Sequence, residues 1–166
     1  MKNPYRLLAM LSVAALPLQC FGEDNLQFTG TLMAPPPCTI SDKGGPINVH
    51  FEGNIAISKI DGTQYRRQAI PYQITCPGAP QTARMTLTLK GAEANFDPTA
   101  LKTSIDDLGI RVLLGGSALK PNFPRQITFN ASATMPKLEA VPVKLIDATL
   151  PSTTFRASAL LIAELY

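Results

Sequence analysis

Apolar and polar residues alternate along this chain with a period of two, in short runs cut apart by prolines and glycines. That pattern limits the fold more than any other feature. Leu26, Phe28, Gly30 and Leu32 alternate with Gln27, Thr29 and Thr31. Ile47, Val49 and Phe51 continue through Gly53 to Ile55 and Ile57, with Gly53 placed as a bulge. Within residues 69–76, Ile70, Tyr72 and Ile74 stand against Pro71, Gln73 and Thr75. Met85, Leu87 and Leu89 form a further run, as do Ile127 with Phe129, and Val141 with Val143 and Leu145. The run 110–114 is nearly all apolar, as in a strand buried on both faces. The last alternating run is Phe155, Ala157, Ala159, Leu161, Ala163 and Leu165. Period-two runs of this length are strands. The chain has 15 prolines, and most fall between runs, where a missing N–H costs no ladder bond. Lys43-Gly44-Gly45-Pro46, Asp61-Gly62, Pro77-Gly78, Gly115-Gly116 and Pro121-Asn122 supply turns. The one helical candidate is a single turn over residues 97–101, with Asp97 as cap and Pro98 in the first helical position. Many short strands with dense turn signals predict an all-β sandwich or barrel.

The first 22 residues read as a secretory leader. Lys2 and Arg6 give a positive start, residues 7–16 are apolar apart from Ser12, and Pro17 ends any helix. Cys20 and Gly22 are small residues suited to cleavage before Glu23. The apolar run is shorter than the ~20 residues of a spanning helix. Gln19 precedes Cys20 where a lipoprotein signal wants a small residue. Cys20 leaves with the leader, so Cys38 and Cys76 remain. An even pair in an exported chain reads as a disulfide, and closing a loop of that length is worth roughly 4 kcal/mol in the chain-entropy picture.

Charge and chemistry narrow the function. Of the 15 Lys and Arg, Lys2 and Arg6 belong to the leader, which leaves 13 against 12 Asp and Glu. A near-neutral chain with scattered charges has no footprint for nucleic acid and no basic cluster for a membrane surface. His50 is the single histidine, on the opposite strand face from Val49 and Phe51. Metal sites want several converging ligands, and there is no Gly-x-Ser-x-Gly elbow or phosphate-cradling glycine loop. Asp106-Asp107 reads as a solvated turn. The expectation is a non-enzyme without cofactor.

The two ends carry the most information. Residues 26–32 form a clean strand pattern, set off from the body of the chain by Met33, Ala34 and the stiff segment Pro35-Pro36-Pro37. Such a strand is either the first of its own sandwich or seeks a partner elsewhere, because alternation does not say whose sheet is joined. The last run has Phe155, Ala157, Ala159, Leu161, Ala163 and Leu165 on one face, and Leu160 and Ile162 among polar residues on the other. Apolar residues on both faces suit an interior strand. Its second neighbour is either an earlier strand folded back or a strand from another molecule. The small Ala157, Ala159 and Ala163 leave room for bulky side chains from an added strand.

These pieces, in this order, resemble the subunits of chaperone–usher pili of the type 1 and P pilus class. The resemblance lies in Phe28-x-Gly30-x-Leu32, Pro37-Cys38-Thr39-Ile40 and Val49-x-Phe51-x-Gly53-Asn54-Ile55. It continues in Ile74-Thr75-Cys76, Leu108-Gly109-Ile110-Arg111-Val112-Leu113 and Phe155-x-Ala157-x-Ala159. It implies an immunoglobulin-like sandwich lacking its last strand, with a groove beside the C-terminal strand. It implies a leader (1–22), a donor-strand extension with proline spacer (23–36) and a pilin domain (37–166). Leu26, Phe28, Gly30 and Leu32 match donor residues. Phe155, Ala157, Ala159, Leu161, Ala163, Leu165 and Tyr166 match the acceptor groove and the chaperone contact. A Cys38–Cys76 bond would tie the first strand to the third. The implied partners are a periplasmic chaperone, an outer-membrane usher and neighbouring subunits, with the product on the cell surface in an adhesive pilus. The length leaves no room for a separate sugar-binding domain, which points to a major, minor or adaptor subunit. The alternative class is a stand-alone exported immunoglobulin-like binding module with a complete sandwich. Two departures stand out: Thr153 where the family usually has glycine, and Leu165 in the place of the penultimate tyrosine, with Tyr166 last. Mass spectrometry of protein recovered from the periplasm is expected to give a chain beginning at Glu23; a mass that retains residues 1–22 contradicts the leader assignment.

Overall fold

The computed structural model describes residues 26–34, 37–131 and 135–166. The expected leader lies outside the described residues, as do Glu23, Asp24, Pro35 and Pro36. Residues 34–166 form one compact unit, and the chain before them a separate one.

Eleven strands, all paired antiparallel, make up the compact unit. In chain order they are β1 (Thr39–Ser41), β2 (Gln68–Ala69), β3 (Gln73–Thr75), β4 (Thr82–Lys90), β5 (Glu93–Ala94) and β6 (Asp97–Lys102). There follow β7 (Leu108–Leu114), β8 (Ser117–Ala118), β9 (Arg125–Asn130), β10 (Leu138–Lys144) and β11 (Leu160–Leu165). A 3-10 turn at Ile57–Lys59 is the one helical element among the described residues. The larger sheet orders β2-β10-β7-β6-β5, with β8 beside β7. The smaller orders β11-β4-β9, and β1 pairs with β3 alone.

The core sits between the two main sheets. Met85, Leu87 and Leu89 point inward from β4, and Met85 and Leu87 are fully buried. They meet Leu101, Val112, Leu114 and Leu138 from the larger sheet and Phe129, Ala163 and Leu165 from the smaller one. β7 is buried on both faces, as its apolar run predicts. Its exception is Arg111, whose guanidinium donates to Asp97 Oδ2 at 2.5 Å, to Thr99 Oγ1 at 3.1 Å and to the Gly62 carbonyl at 2.7 Å. Burial works to raise the Asp97 pKa, but the Thr99 hydroxyl and amide and the Arg111 cation outweigh it, so Asp97 is held below its ordinary range. Proline inside β10 is tolerated because β2 pairs only Glu139 and Ala140, so Pro142 has no ladder neighbour on that side.

The disulfide is present. Cys38 precedes β1, Cys76 follows β3, their Cα atoms lie 4.2 Å apart, and the Thr39–Thr75 pair of the ladder is adjacent.

Four expectations change. Residues 97–101 are not a helical turn but part of β6, because Ala100, Leu101 and Lys102 gain a ladder against Arg111, Ile110 and Gly109. An isolated turn would gain one bond for several fixed dihedrals. The run 69–76 divides at Pro71, so that β2 joins the larger sheet and β3 joins β1. Leu145 falls just beyond β10 and is exposed. The run 47–57 keeps its alternation but is no strand: Ile47, Val49, Phe51, Ile55 and Ile57 are half-buried, whereas Asn48, His50 and Glu52 are exposed. Gly53 (φ +65°) is a bend in that unpaired segment and not a ladder bulge.

Replacing both Cys38 and Cys76 by Ser is expected to lower the unfolding free energy by about 2–5 kcal/mol. Urea titration followed by circular dichroism measures it; an unchanged midpoint contradicts a stabilising role for the bridge.

Candidate functional site

Two lengths of backbone bear on the site: an edge strand at the C-terminus, and a segment that lies in no described ladder. β11 pairs with β4 from Leu160–Lys90 to Leu165–Met85 and ends its sheet, so its outer edge has no strand beside it among the described residues. The ladder begins only at Leu160, which shortens the strand expected from Phe155. Residues 46–55 make no backbone–backbone hydrogen bond with any other described residue. Buried or half-buried backbone donors and acceptors seldom remain without partners, and an open edge is a template for another strand.

The two lengths lie alongside each other. Pro37 and Cys38 share a cleft of about 450 Å³ with Ala163, Glu164, Leu165 and Tyr166. Towards the other end, the rings of Phe51 and Phe155 meet with centroids 5.9 Å apart. Followed from Pro37 through β1 to Phe51, the chain leading into the second length runs beside a neighbour that goes from Tyr166 back to Phe155, so the two are antiparallel, and no described ladder joins them. A strand added between them is antiparallel to one and parallel to the other.

The predicted groove residues divide by depth. Ala163 and Leu165 are buried in the core, opposite Leu87 and Met85. Leu161 and Phe155 are half-buried, and Ala157 and Ala159 are exposed. Tyr166 is 59% exposed. A larger cleft of about 860 Å³ opens at the Phe155 end, where Lys90, Lys102 and Arg156 stand around Ala157, Ser158 and Ala159. Residue 156 is anchored there by the Ser104 amide donating to its carbonyl at 2.8 Å and by its own amide donating to Ser104 Oγ at 3.0 Å. Gly91 makes this passage possible: a Cβ on it would lie 2.6 Å from Leu101 and 3.3 Å from the Ala159 methyl. Thr153, the departure from glycine, is exposed ahead of this segment.

The donor-like residues precede the compact unit. Residues 26–34 have no regular secondary structure, and Leu26, Phe28 and Leu32 are 68%, 87% and 102% exposed. Sheet pairing among the described residues includes none of them.

One part of the site has no counterpart in the sequence pattern. The loop 61–66 holds the segment 52–56 from the side. Asp61 Oδ1 accepts the amides of Thr63, Gln64 and Tyr65 at 2.8, 2.9 and 3.0 Å. Led by the Thr63 amide, these donors pull the Asp61 pKa down to about 2. The loop then presents Tyr65 and Arg66. The Arg66 guanidinium donates to the carbonyls of Glu52 and Asn54, both at 2.8 Å, and Tyr65 Oη accepts the Ala56 amide at 2.9 Å. The Ala56 amide, followed by the Arg66 cation, holds the Tyr65 hydroxyl below its ordinary range. Asp61-Gly62 reads only as a turn, and nothing in the order of residues says which backbone it reaches.

The open-sheeted all-β fold matches those of pilus subunits. The P pilus adaptor subunit PapF superposes with a TM-score of 0.57 at 24% identity, over 80% of this chain and 98% of that one. The P pilus rod subunit PapA superposes with a TM-score of 0.57 at 18% identity, over 78% and 99%. Among sequence relatives, the fimbrial-like protein YfcQ of Escherichia coli (strain K12) is 38% identical over 141 residues, 84% of this chain and 85% of that protein. The fimbrial-like protein YfcR of the same organism is 33% identical over 134 residues, 79% and 74%. The family model described as fimbrial protein matches residues 26–164. The chain belongs to this family of fimbrial subunits, and its fold is that of a pilus structural subunit.

Amide exchange along β11, measured by NMR on the isolated chain, is expected to alternate, with amides bonded to β4 protected and edge-facing amides at least tenfold faster, on the order of the contrast between closed and open backbone bonds. Uniform protection from Leu160 to Leu165 contradicts an open edge.

Proposed function

We propose that this chain is a structural subunit of an adhesive surface pilus whose groove between residues 37–51 and 155–166 is filled by a strand from a second molecule. A periplasmic chaperone fills it first, and the segment 26–32 of a neighbouring subunit replaces that strand at an outer-membrane usher. The single observation that carries this reading is the outer edge of β11, with no described strand beside it, close to residues 46–55, which lie in no described ladder. Main-chain bonds to an added strand supply affinity, and alternate side chains supply register. Leu26, Phe28 and Leu32 are the side chains offered to the groove, and Gly30 allows close approach of the backbones. Ala157, Ala159, Leu161, Ala163 and Leu165 form the receiving face, and Tyr166 lies at the end where the chaperone would grip. The reading as a stand-alone binding module has residues 24–33 pair within the same chain; among the described residues, no ladder contains 26–33.

Joining a second copy of residues 23–34 after Tyr166 through a short flexible turn tests this. The extended chain is expected to be monomeric and more stable, by about 1.5–3 kcal/mol for each large apolar side chain it buries. Phe28→Asp in the appended copy is expected to abolish most of that gain. Thermal unfolding and size-exclusion chromatography report both; equal stability with and without the appended strand overturns the reading.

A further inference from the structure

The segment 46–56 lies in no described ladder and bends at Gly53 (φ +65°), and the hold on that bend calls for a physical cause. Its half-buried residues Ile47, Val49 and Phe51 fix one face, but side chains on a face do not hold a backbone edge. Between Glu52 and Ala56 the edge is held by side-chain groups. One guanidinium takes the carbonyls of Glu52 and Asn54 together, so both oxygens point to the same side. Tyr65 takes the Ala56 amide from the same loop. Ile57, next in the chain, begins the 3-10 turn that ends the segment.

Two further observations mark this contact as built. Arg66 has φ +57°, a conformation an arginine adopts only when its surroundings impose it. Gly53 between the two carbonyls has φ +65°, and a Cβ there would stand 3.5 Å from the Arg66 guanidinium. The three amides gathered by Asp61 hold the loop that carries Tyr65 and Arg66.

We infer that Arg66, with Tyr65, is the positioning residue of the strand-accepting groove: by holding the carbonyls on either side of Gly53 it fixes the bend that ends the 37–51 wall, and so sets where that wall stops for an incoming strand. The inference rests on the strand-addition reading above. Its physical content is preorganisation. A wall whose end is already fixed loses less conformational freedom when a strand arrives, and binding is tighter by that amount. A guanidinium suits the task because its planar fork reaches two acceptors at once, which an ammonium does not.

The test uses the full mature chain and a fluorescent peptide of residues 23–34 as the donor probe. Wild type is compared with Arg66→Ala, Arg66→Lys and Tyr65→Phe. Arg66→Ala is expected to weaken peptide binding about tenfold, the scale of a charge-assisted hydrogen-bond pair. Arg66→Lys is expected to fall between it and wild type. Amide exchange at residues 52–57 is expected to rise by a similar factor, with exchange in β4 and β7 unchanged. Tyr65→Phe, which removes only the acceptor for Ala56, is expected to weaken binding a few-fold and serves if Arg66→Ala does not fold. Peptide affinity equal to wild type in both variants overturns the inference while strand addition stands. Weaker binding accompanied by faster exchange throughout β4 and β7 also overturns it, since the loss is then general destabilisation. A wild-type chain that takes no peptide, together with no gain from the appended strand, overturns both readings.

Discussion

Everything in this molecule turns on the hydrogen-bonding groups of the backbone at a sheet edge. A β-sandwich satisfies its interior strands by pairing and leaves its edges to water or to covering loops. Here β11 contributes Ala163 and Leu165 to the middle of the core, yet among the described residues it has a ladder on one side only. A strand with its side chains this deep and its outer edge bare combines a strand's interior position with an edge strand's lack of a neighbour. The segment 46–55 repeats the condition, with half-buried apolar side chains and no backbone partner among the described residues. Hydrophobic burial has placed both segments; hydrogen bonding has completed neither.

The rest of the fold keeps these two lengths in place without joining them. β4 is the anchor, fully buried at Met85 and Leu87 and paired on both sides, so β11 is referenced to the most deeply buried strand of its sheet. The Cys38–Cys76 bond and the β1–β3 ladder fix where the first wall begins. Its far end is fixed by the Phe51–Phe155 contact and by the loop that Asp61 organises. Arg111 ties that loop to the larger sheet through the Gly62 carbonyl, and the close fit of Gly62 against Val143, 3.2 Å from a would-be Cβ, leaves no room for a side chain there. A chain of contacts thus runs from the core of β7 out to the wall of the groove. The family match and the superposition on pilus subunits agree with an all-β sandwich with open sheets.

Much of the fold was legible because the chain marks its strands plainly. The alternation Met85-x-Leu87-x-Leu89 became β4, the apolar run 110–114 became the doubly buried β7, and the Cys pair became the bridge at the β1–β3 ladder. Faces were read correctly even where the strand itself was absent: His50 is exposed and Val49 and Phe51 turn inward, as their phase requires. The misreadings share one origin. The turn expected at residues 97–101 is a strand because β5 pairs with it at Asp97 and Leu101 and β7 at Ala100–Lys102, and the strand expected over residues 47–57 is unpaired because no described strand lies beside it. Arg66 and Tyr65 went unnoticed because their partners are carbonyls and an amide, which leave no trace in side-chain chemistry.

By itself the sequence determined that the chain is all β, which residues face the core, which two cysteines join, and that its two ends have unusually apolar strand patterns. Only the tertiary structure decided which of those runs acquire neighbours and which stand open. The reason is geometric. Side chains project perpendicular to a sheet, so their alternation records the two faces. Ladder bonds lie in the plane of the sheet, where one peptide group resembles another, and the choice of partner there is made by whatever the folded core brings alongside.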